Sequence, residues 1–292
     1  MPSAQRGVPW YLDALACPDC QAPLAISAAA MACTGCPYSA DRSARPLDLR
    51  PRRPVPLSTR LARKADPVPV LAGVDLTRPA PAFDGPRALR DSRELFSALL
   101  SVRAGGGDFL DLGCGPRDQV AAAEHCGFRY VGVDLSHHSA DLLADAHALP
   151  FAARSFDVVF SYAVLEHLHN PFLALTEVHR VLRPGGHFVG TVSQGEPFHD
   201  SFFHHTPWGL ASATSFAGLS IERLWPSMDT LRSLSQMGHY SRPVRWGLRA
   251  LEAIDSHLPF LAPRRWLHWS RQQRLWDGCV RGGSLCFLIG RS

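Results

Sequence analysis

The chain is almost without lysine: of its 30 basic residues only Lys64 is one, and the rest are arginine. That bias reads as the base composition of the gene, so arginine density says little about function. Long apolar runs are also missing. None approaches the roughly 20 residues that a membrane-spanning helix needs, which excludes an integral membrane protein. Residues 1–16 lack a basic start followed by an apolar stretch, so no secretory signal is expected and a cytoplasmic location is. Excess charge is small. A net charge of +4 and a pI of about 8.7 neither demand a nucleic-acid partner nor exclude one. What is present is core material: 46% hydrophobic and only 19% charged residues exclude disorder as the overall class. At 292 residues the chain is long enough for about two domains.

Its 8 cysteines do not imply four disulfides. Four of them form two CxxC pairs, Cys17-Pro18-Asp19-Cys20 and Cys33-Thr34-Gly35-Cys36, with twelve residues between. In a reducing compartment such pairs are metal ligands before they are bridges. Two knuckles give four thiolates, the set a closed tetrahedral zinc site uses. Pro18 stiffens the first knuckle and Gly35 is expected to permit the turn in the second. A segment of about 40 residues has too little core to fold alone, so a structural zinc explains how it holds together. Iron in the same site, or four metal-free thiols, are the alternatives. A closed site has no open position, so no catalysis is expected there.

The organisation reads as residues 1–50 a zinc ribbon, 51–85 a Pro/Arg-rich linker, 86–227 with 281–292 a Rossmann-like domain, and 228–280 a helical insertion before the last strand. The linker reads as a solvated tether or as an arm for an anionic partner. From residue 86 the pattern alternates. Strand-like runs at Phe109–Leu112, Tyr130–Asp134, Leu142–Ala144, Phe156–Tyr162, His187–Val192, Leu219–Leu224 and Ser284–Ile289 are interleaved with helical stretches at 87–102, 119–126, 171–182 and 207–216. This is the pattern of an α/β fold with a mostly parallel sheet.

Within it, Phe109-Leu110-Asp111-Leu112-Gly113-Cys114-Gly115-Pro116 sets Gly-x-Gly between a strand and a helix. Glycines let a ligand approach the backbone, and the helix start offers free N–H groups. Nineteen residues after Gly115, Asp134 ends the next apolar run, where a carboxylate can accept both hydroxyls of a ribose. These features fit a nicotinamide dinucleotide or S-adenosylmethionine equally.

The later motifs separate the two. DLGCG, VGVD, DAHALPF, SFDVVFSYAVLEH and EVHRVLRPGGHF, in order over roughly 105–192, resemble the class I S-adenosylmethionine-dependent methyltransferases, in particular the type 11 group. The resemblance implies a seven-stranded sheet with the cofactor across the strand C-termini. It implies Asp111, Gly113, Cys114 and Gly115 under the methionine part, Asp134 and Leu135 at the ribose, Asp145 and Ala146 at the adenine edge, and Ser161 and Tyr162 facing cofactor and acceptor. The chain departs from the pattern twice. Arg117 stands where many relatives have a third glycine, its guanidinium either covering the cofactor carboxylate or pointing outward. Only ten residues separate Asp134 from Asp145, too few for a full crossover helix and strand. The N-terminal piece, Leu12 to Cys20 with Pro23-Leu24, resembles the zinc-ribbon subunit that activates several methyltransferases. A ribbon ahead of a methyltransferase is also similar to bacterial rRNA guanine-N1 methyltransferases, which differ in using a histidine ligand.

After the fifth strand, residues 193–208 hold His199, His204 and His205 among acids and aromatics. Three readings stand. His199 or His204 is a general base for O-methylation, the cluster binds the acceptor by hydrogen bonds and stacking, or the loop is structural with Thr206 capping the next helix. A metal on His199, His204 and His205 is a minor fourth. His167 reads as a brace or as a catalytic group. The Trp/Arg helices at 242–278 read as a substrate lid, as a homodimer face or membrane-surface helix, or as ordinary packing. The leading expectation is a methyltransferase acting on oxygen of a small or carrier-linked acceptor, sugar-containing compounds among them. The runner-up is an RNA ring-nitrogen methyltransferase gripping RNA with the ribbon. The third is a non-catalytic adapter.

Overall fold

A computed structural model describes residues 9–57, 92–195, 200–227, 240–257 and 271–291, with Leu71, 73–79, Phe83, Gly85, Leu231, Leu234 and Ser235. The Cys segment forms a three-stranded antiparallel sheet of β1 (Leu24–Ile26), β2 (Ala30–Cys33) and β3 (Ser39–Asp41), preceded by a 3-10 turn at Trp10–Ala14 and followed by β4 (Leu47–Asp48). The rest alternates: α1 (Arg93–Val102), β5 (Gly107–Leu112), α2 (Val120–His125), β6 (Phe128–Asp134), β7 (Leu142–Leu143), β8 (Phe156–Tyr162), α3 (Pro171–Val181), β9 (Leu182–Ser193), α4 (Pro207–Phe216), β10 (Ser220–Pro226), α5 (Arg242–His257), α6 (Arg271–Arg281) and β11 (Ser284–Gly290).

The main sheet has eight strands in the order β10-β11-β9-β8-β5-β6-β7-β4. This corrects the expected seven. The eighth strand is β4 from the N-terminal segment, which pairs in parallel with β7 at Leu47↔Leu142 and Asp48↔Leu143. All pairings from β9 to β4 are parallel, and β11 and β10 are antiparallel additions. The parallel strands are apolar on both faces, because both must be covered. Successive residues therefore go to different cores. Phe109, Tyr130 and Phe160 pack with Phe96 and Leu99 of α1, whereas Leu110, Val131 and Val159 face Leu175 and Val178 of α3. Local signals set the helix starts. Asn170 caps α3 by accepting from the Leu173 N–H at 3.2 Å, and Thr206 caps α4 through Gly209 at 3.1 Å, each followed by proline.

Two crossovers lack helices: residues 135–141 between β6 and β7, and 144–155 between β7 and β8. The face they leave open is filled from the N-terminus. Leu12, Leu15, Cys17, Met31, Tyr38 and Leu49 share one core with Val131, Val133, Leu142, Leu149 and Phe151. The contact is also hydrogen-bonded, with Ala16 N donating to Pro150 O at 3.0 Å and Ala152 N to Ala14 O at 2.7 Å. Within the segment read as linker, Val74 and Leu76 are buried, and Asp75 pairs beside β10 at the opposite sheet edge, 2.8 Å from Arg223. Residues 58–70 lie outside the described set.

Candidate active site

The C-terminal ends of β5, β6 and β8 bring the cofactor candidates together. Leu112 pairs with Val133 on one side and with Ser161 on the other. The turn after β5 puts Gly113 at φ +72° and Gly115 at φ +48°. A Cβ at Gly113 would lie 2.4 Å from a methyl of Val164, so that glycine lets the loop after β8 pack close. A Cβ at Gly115 would meet nothing within 4 Å. The turn therefore faces open space at the point where its backbone would receive a ligand. Asp134 closes the other side, with Oδ2 accepting from Gly115 N at 3.1 Å and Oδ1 from Ser136 N and His137 N at 3.0 and 2.9 Å. Beside it Leu135 is exposed, and its carbonyl accepts from Arg50 at 3.4 Å. Ser161 is fully buried and its Oγ has no partner among the described residues. The adjoining Tyr162 is partly exposed at the strand end. An open glycine cradle, a carboxylate at the second strand tip and an orphaned hydroxyl fit a donor nucleoside with an amino-acid tail.

Asp111 does not face that space. It is buried and accepts from the Tyr130 hydroxyl at 2.7 Å, and desolvation raises its pKa to about 7. Cys114 is buried as well, and desolvation pushes its thiol up. Arg117 follows neither expectation. Its backbone keeps the left-handed conformation, φ +66°, that suits the usual glycine, and its guanidinium turns inward to Asp141 and the Tyr130 ring.

Asp145 is engaged by its own loop. Its Oδ1 accepts from His147 N at 2.9 Å and lies 2.6 Å from His147 Nδ1. Burial pushes this carboxyl up, but the His147 bonds outweigh it and hold it below the usual range. Asn170 N donates to His147 Nε2 at 3.2 Å, so the ring proton sits on Nδ1. His147 also stacks on His169, with centroids 4.1 Å apart. Ala146 is buried between these partners.

The loop after β9 is pinned to the turn after β8. Phe202 N and Phe203 N donate to the Glu166 carbonyl at 2.8 and 3.2 Å, and His167 Nδ1 contacts the Asp200 carbonyl. His167 is thus a brace between the two loops. His199 lies outside the described residues. His204 is exposed, whereas His205 is buried with Nε2 unpartnered among the described residues. Which of His204 and His205 points inward is a matter of loop path, and no sequence signal marks it. Residue Gln194 ties this loop to the end of α6, its amide nitrogen 3.0 Å from Cys279 O and 2.9 Å from Val280 O. Trp208 meets Trp276 edge to face at 4.4 Å. α5 leaves Val244, Trp246 and Leu251 exposed, and Arg264, Arg265, Trp266 and Trp269 lie outside the described residues.

The four candidate metal ligands come together in the N-terminal segment. Their sulfurs all lie within 4.8 Å of one another, Cys17 to Cys36 at 3.6 Å and Cys20 to Cys33 at 3.3 Å. A tetrahedron of thiolates at zinc has sulfur separations of about 3.8 Å, so the cluster fits one ion. Gly35 is not left-handed. A Cβ there would come 3.0 Å from that of Ala22, so crowding explains it, and the positive φ of the knuckles belongs to Gln21 at +64°.

The profile of the family described as "Methyltransferase domain" matches residues 110–190. A malonyl-[acyl-carrier protein] O-methyltransferase of Erwinia billingiae is 32% identical over 202 residues, covering 56% of this chain and 78% of that protein. An uncharacterized 37.1 kDa protein in a transposon of Streptomyces fradiae is 29% identical over 220 residues, and the chain spans 62% of its length. An S-adenosylmethionine-dependent methyltransferase structure from Mesorhizobium loti aligns with a TM-score of 0.43 at 17% identity, over 70% of this chain and 99% of that one. Among the described residues no helix is long and apolar enough to cross a membrane.

Proposed function

This chain belongs to the S-adenosylmethionine-dependent methyltransferases of the type 11 group, and from that premise we propose that it methylates an oxygen of a small or carrier-linked acceptor. The observation that carries the donor half is the open cradle at Gly115 facing the Asp134 carboxylate. The malonyl-[acyl-carrier protein] O-methyltransferase relative supports oxygen as the accepting atom. Gly113 to Gly115 would hold the methionine part, Asp134 the ribose, and Asp145 with Ala146 the adenine edge. The donor brings an activated methyl group, so the chain's own work is to orient the acceptor and to exclude water. We assign that work to the loop 200–206, held on Glu166 and His167, and to α6, held by Gln194. We assign the four-cysteine cluster to a structural zinc, whose loop bonds to 149–152 would steady the adenine side.

The test is calorimetric titration with S-adenosylmethionine and S-adenosylhomocysteine, beside Asp134→Ala. Micromolar binding lost in the variant supports the donor site, and no binding by folded protein overturns it in favour of an adapter. An acceptor screen that includes malonyl-acyl carrier protein then follows at two salt concentrations. Transfer to RNA would weaken steeply with salt, whereas transfer to a small molecule would be nearly indifferent.

A further inference from the structure

The N-terminal segment reaches the edge of the sheet that carries the candidate donor site. β4 runs parallel to β7, so the chain that follows it leaves at the edge where β5, β6 and β8 also end. Residues 50–56 are tied down there at three points. Arg50 Nη1 donates to the Leu135 carbonyl at 3.4 Å. The backbone N–H groups of Arg52 and Arg53 donate to Asp19 Oδ1, inside the first cysteine knuckle, at 2.8 and 3.2 Å. At the far end the Pro56 carbonyl accepts from Asn170 Nδ2 at 3.1 Å.

The first of these contacts lands on a peptide group that is already in use. A peptide unit is planar, so its C=O and its N–H turn together. The unit joining Leu135 to Ser136 accepts from Arg50 through its oxygen, and through its nitrogen it donates to Asp134 Oδ1 at 3.0 Å. Fixing the oxygen fixes the direction of the N–H, and a cation on the oxygen strengthens that N–H as a donor. The guanidinium is itself aimed. Its Nε and Nη2 form a two-pronged bond to Asp48 at 2.9 and 2.8 Å, and Asp48 lies in β4 opposite Leu143. The Arg50 carbonyl accepts from the Tyr38 hydroxyl at 3.3 Å, which ties down its backbone. A relay therefore runs from β4 through Arg50 and one peptide plane to the carboxylate of Asp134.

We propose that Arg50 is a positioning residue of the donor site, holding the Asp134 carboxylate in the orientation that receives the ribose hydroxyls. This rests on the methyltransferase reading above and gives the N-terminal segment a part in that same site. Arg50 lies 85 positions from Leu135, so no local pattern joins the two. A link that served the fold alone would matter equally to every ligand of the site. A relay to Asp134 matters to a ligand through its ribose hydroxyls.

The test titrates the full chain by calorimetry with S-adenosylhomocysteine and, at millimolar ligand, with its dideoxyribose analogue, which keeps the base and the amino-acid tail and lacks both ribose hydroxyls. Wild-type binding of S-adenosylhomocysteine is measured first, because its absence fails the donor-site reading and the proposal with it. Arg50→Ala should then weaken S-adenosylhomocysteine about fivefold, the effect of one lost hydrogen bond to a charged group, and change the analogue by less than about twofold. Asp48→Asn keeps Arg50 and loosens its aim, so it should give the same pattern at smaller size, and it carries the test where Arg50→Ala does not fold. Undiminished S-adenosylhomocysteine binding in the folded variants, or a loss of equal size for both ligands, overturns the proposal.

Discussion

Arg117 places its guanidinium 3.1 Å from the Asp141 carboxylate and over the ring of Tyr130. The side chain of this turn residue is held by Asp141 and Tyr130. Its cost is its backbone, which holds φ at +66°. Arg117→Ala loses the ion pair and keeps the strained conformation, whereas Arg117→Gly loses the ion pair alone. Denaturant unfolding should find the alanine variant less stable than the glycine variant by about 1 kcal/mol, the usual cost of that conformation for a residue with a Cβ. Equal stabilities would remove backbone strain from the account.

The two glycines of the donor turn should fail in different ways. Gly113→Ala drives a methyl into Val164 at a left-handed position, so it should unfold the chain at markedly lower denaturant, with a loss of about 2–3 kcal/mol. Gly115→Ala meets open space, so it should cost only about 1 kcal/mol while still weakening S-adenosylhomocysteine binding at least tenfold. Paired melting and calorimetry read both numbers. Undiminished binding in Gly115→Ala would mean that the cradle does not receive the donor.

Asp111 predicts a pH signature. Its folded pKa of about 7 lies above the unfolded value, so between roughly pH 4 and 7 the folded state holds the extra proton and this residue's contribution to stability falls as pH rises. Asp111→Asn cannot ionise and lacks that slope. The stability of the variant relative to wild type should therefore improve from pH 5 to pH 7 by on the order of 1 kcal/mol per unit. A constant difference across that window would show that Asp111 is ionised throughout.

One zinc per chain is expected by elemental analysis, released when the four thiols of the cluster are titrated. Because Gln21 donates to the Leu149 carbonyl at 3.3 Å and Ala16 to Pro150, the cluster and the loop after β7 are joined. Chelation should lower the melting midpoint by roughly 10 °C, what about 3 kcal/mol gives for a chain of this size. It should also weaken S-adenosylhomocysteine binding. A metal-free preparation that melts and binds like the original would sever the two.

The amino-acid sequence by itself determined the strands and helices of the alternating domain and pointed to the candidate donor residues. Those signals are local. Apolar runs of fixed period, an Asn or Thr before a proline, and Gly-x-Gly between strand and helix act over a few residues and need no distant partner. The clustering of the four cysteines was legible for the same reason, since CxxC spacing is short-range chemistry. Only the tertiary structure decided what the N-terminal segment is for. The shortened stretch between Asp134 and Asp145 showed that a helix was missing, but not that Leu12, Leu15 and Met31 would cover the gap or that Leu47–Asp48 would lengthen the sheet. The inward turns of Arg117 and His205 were equally hidden. Burial of a side chain depends on surfaces brought together from far along the chain, and neighbouring histidines such as His204 and His205 differ in nothing until a loop is closed over one of them.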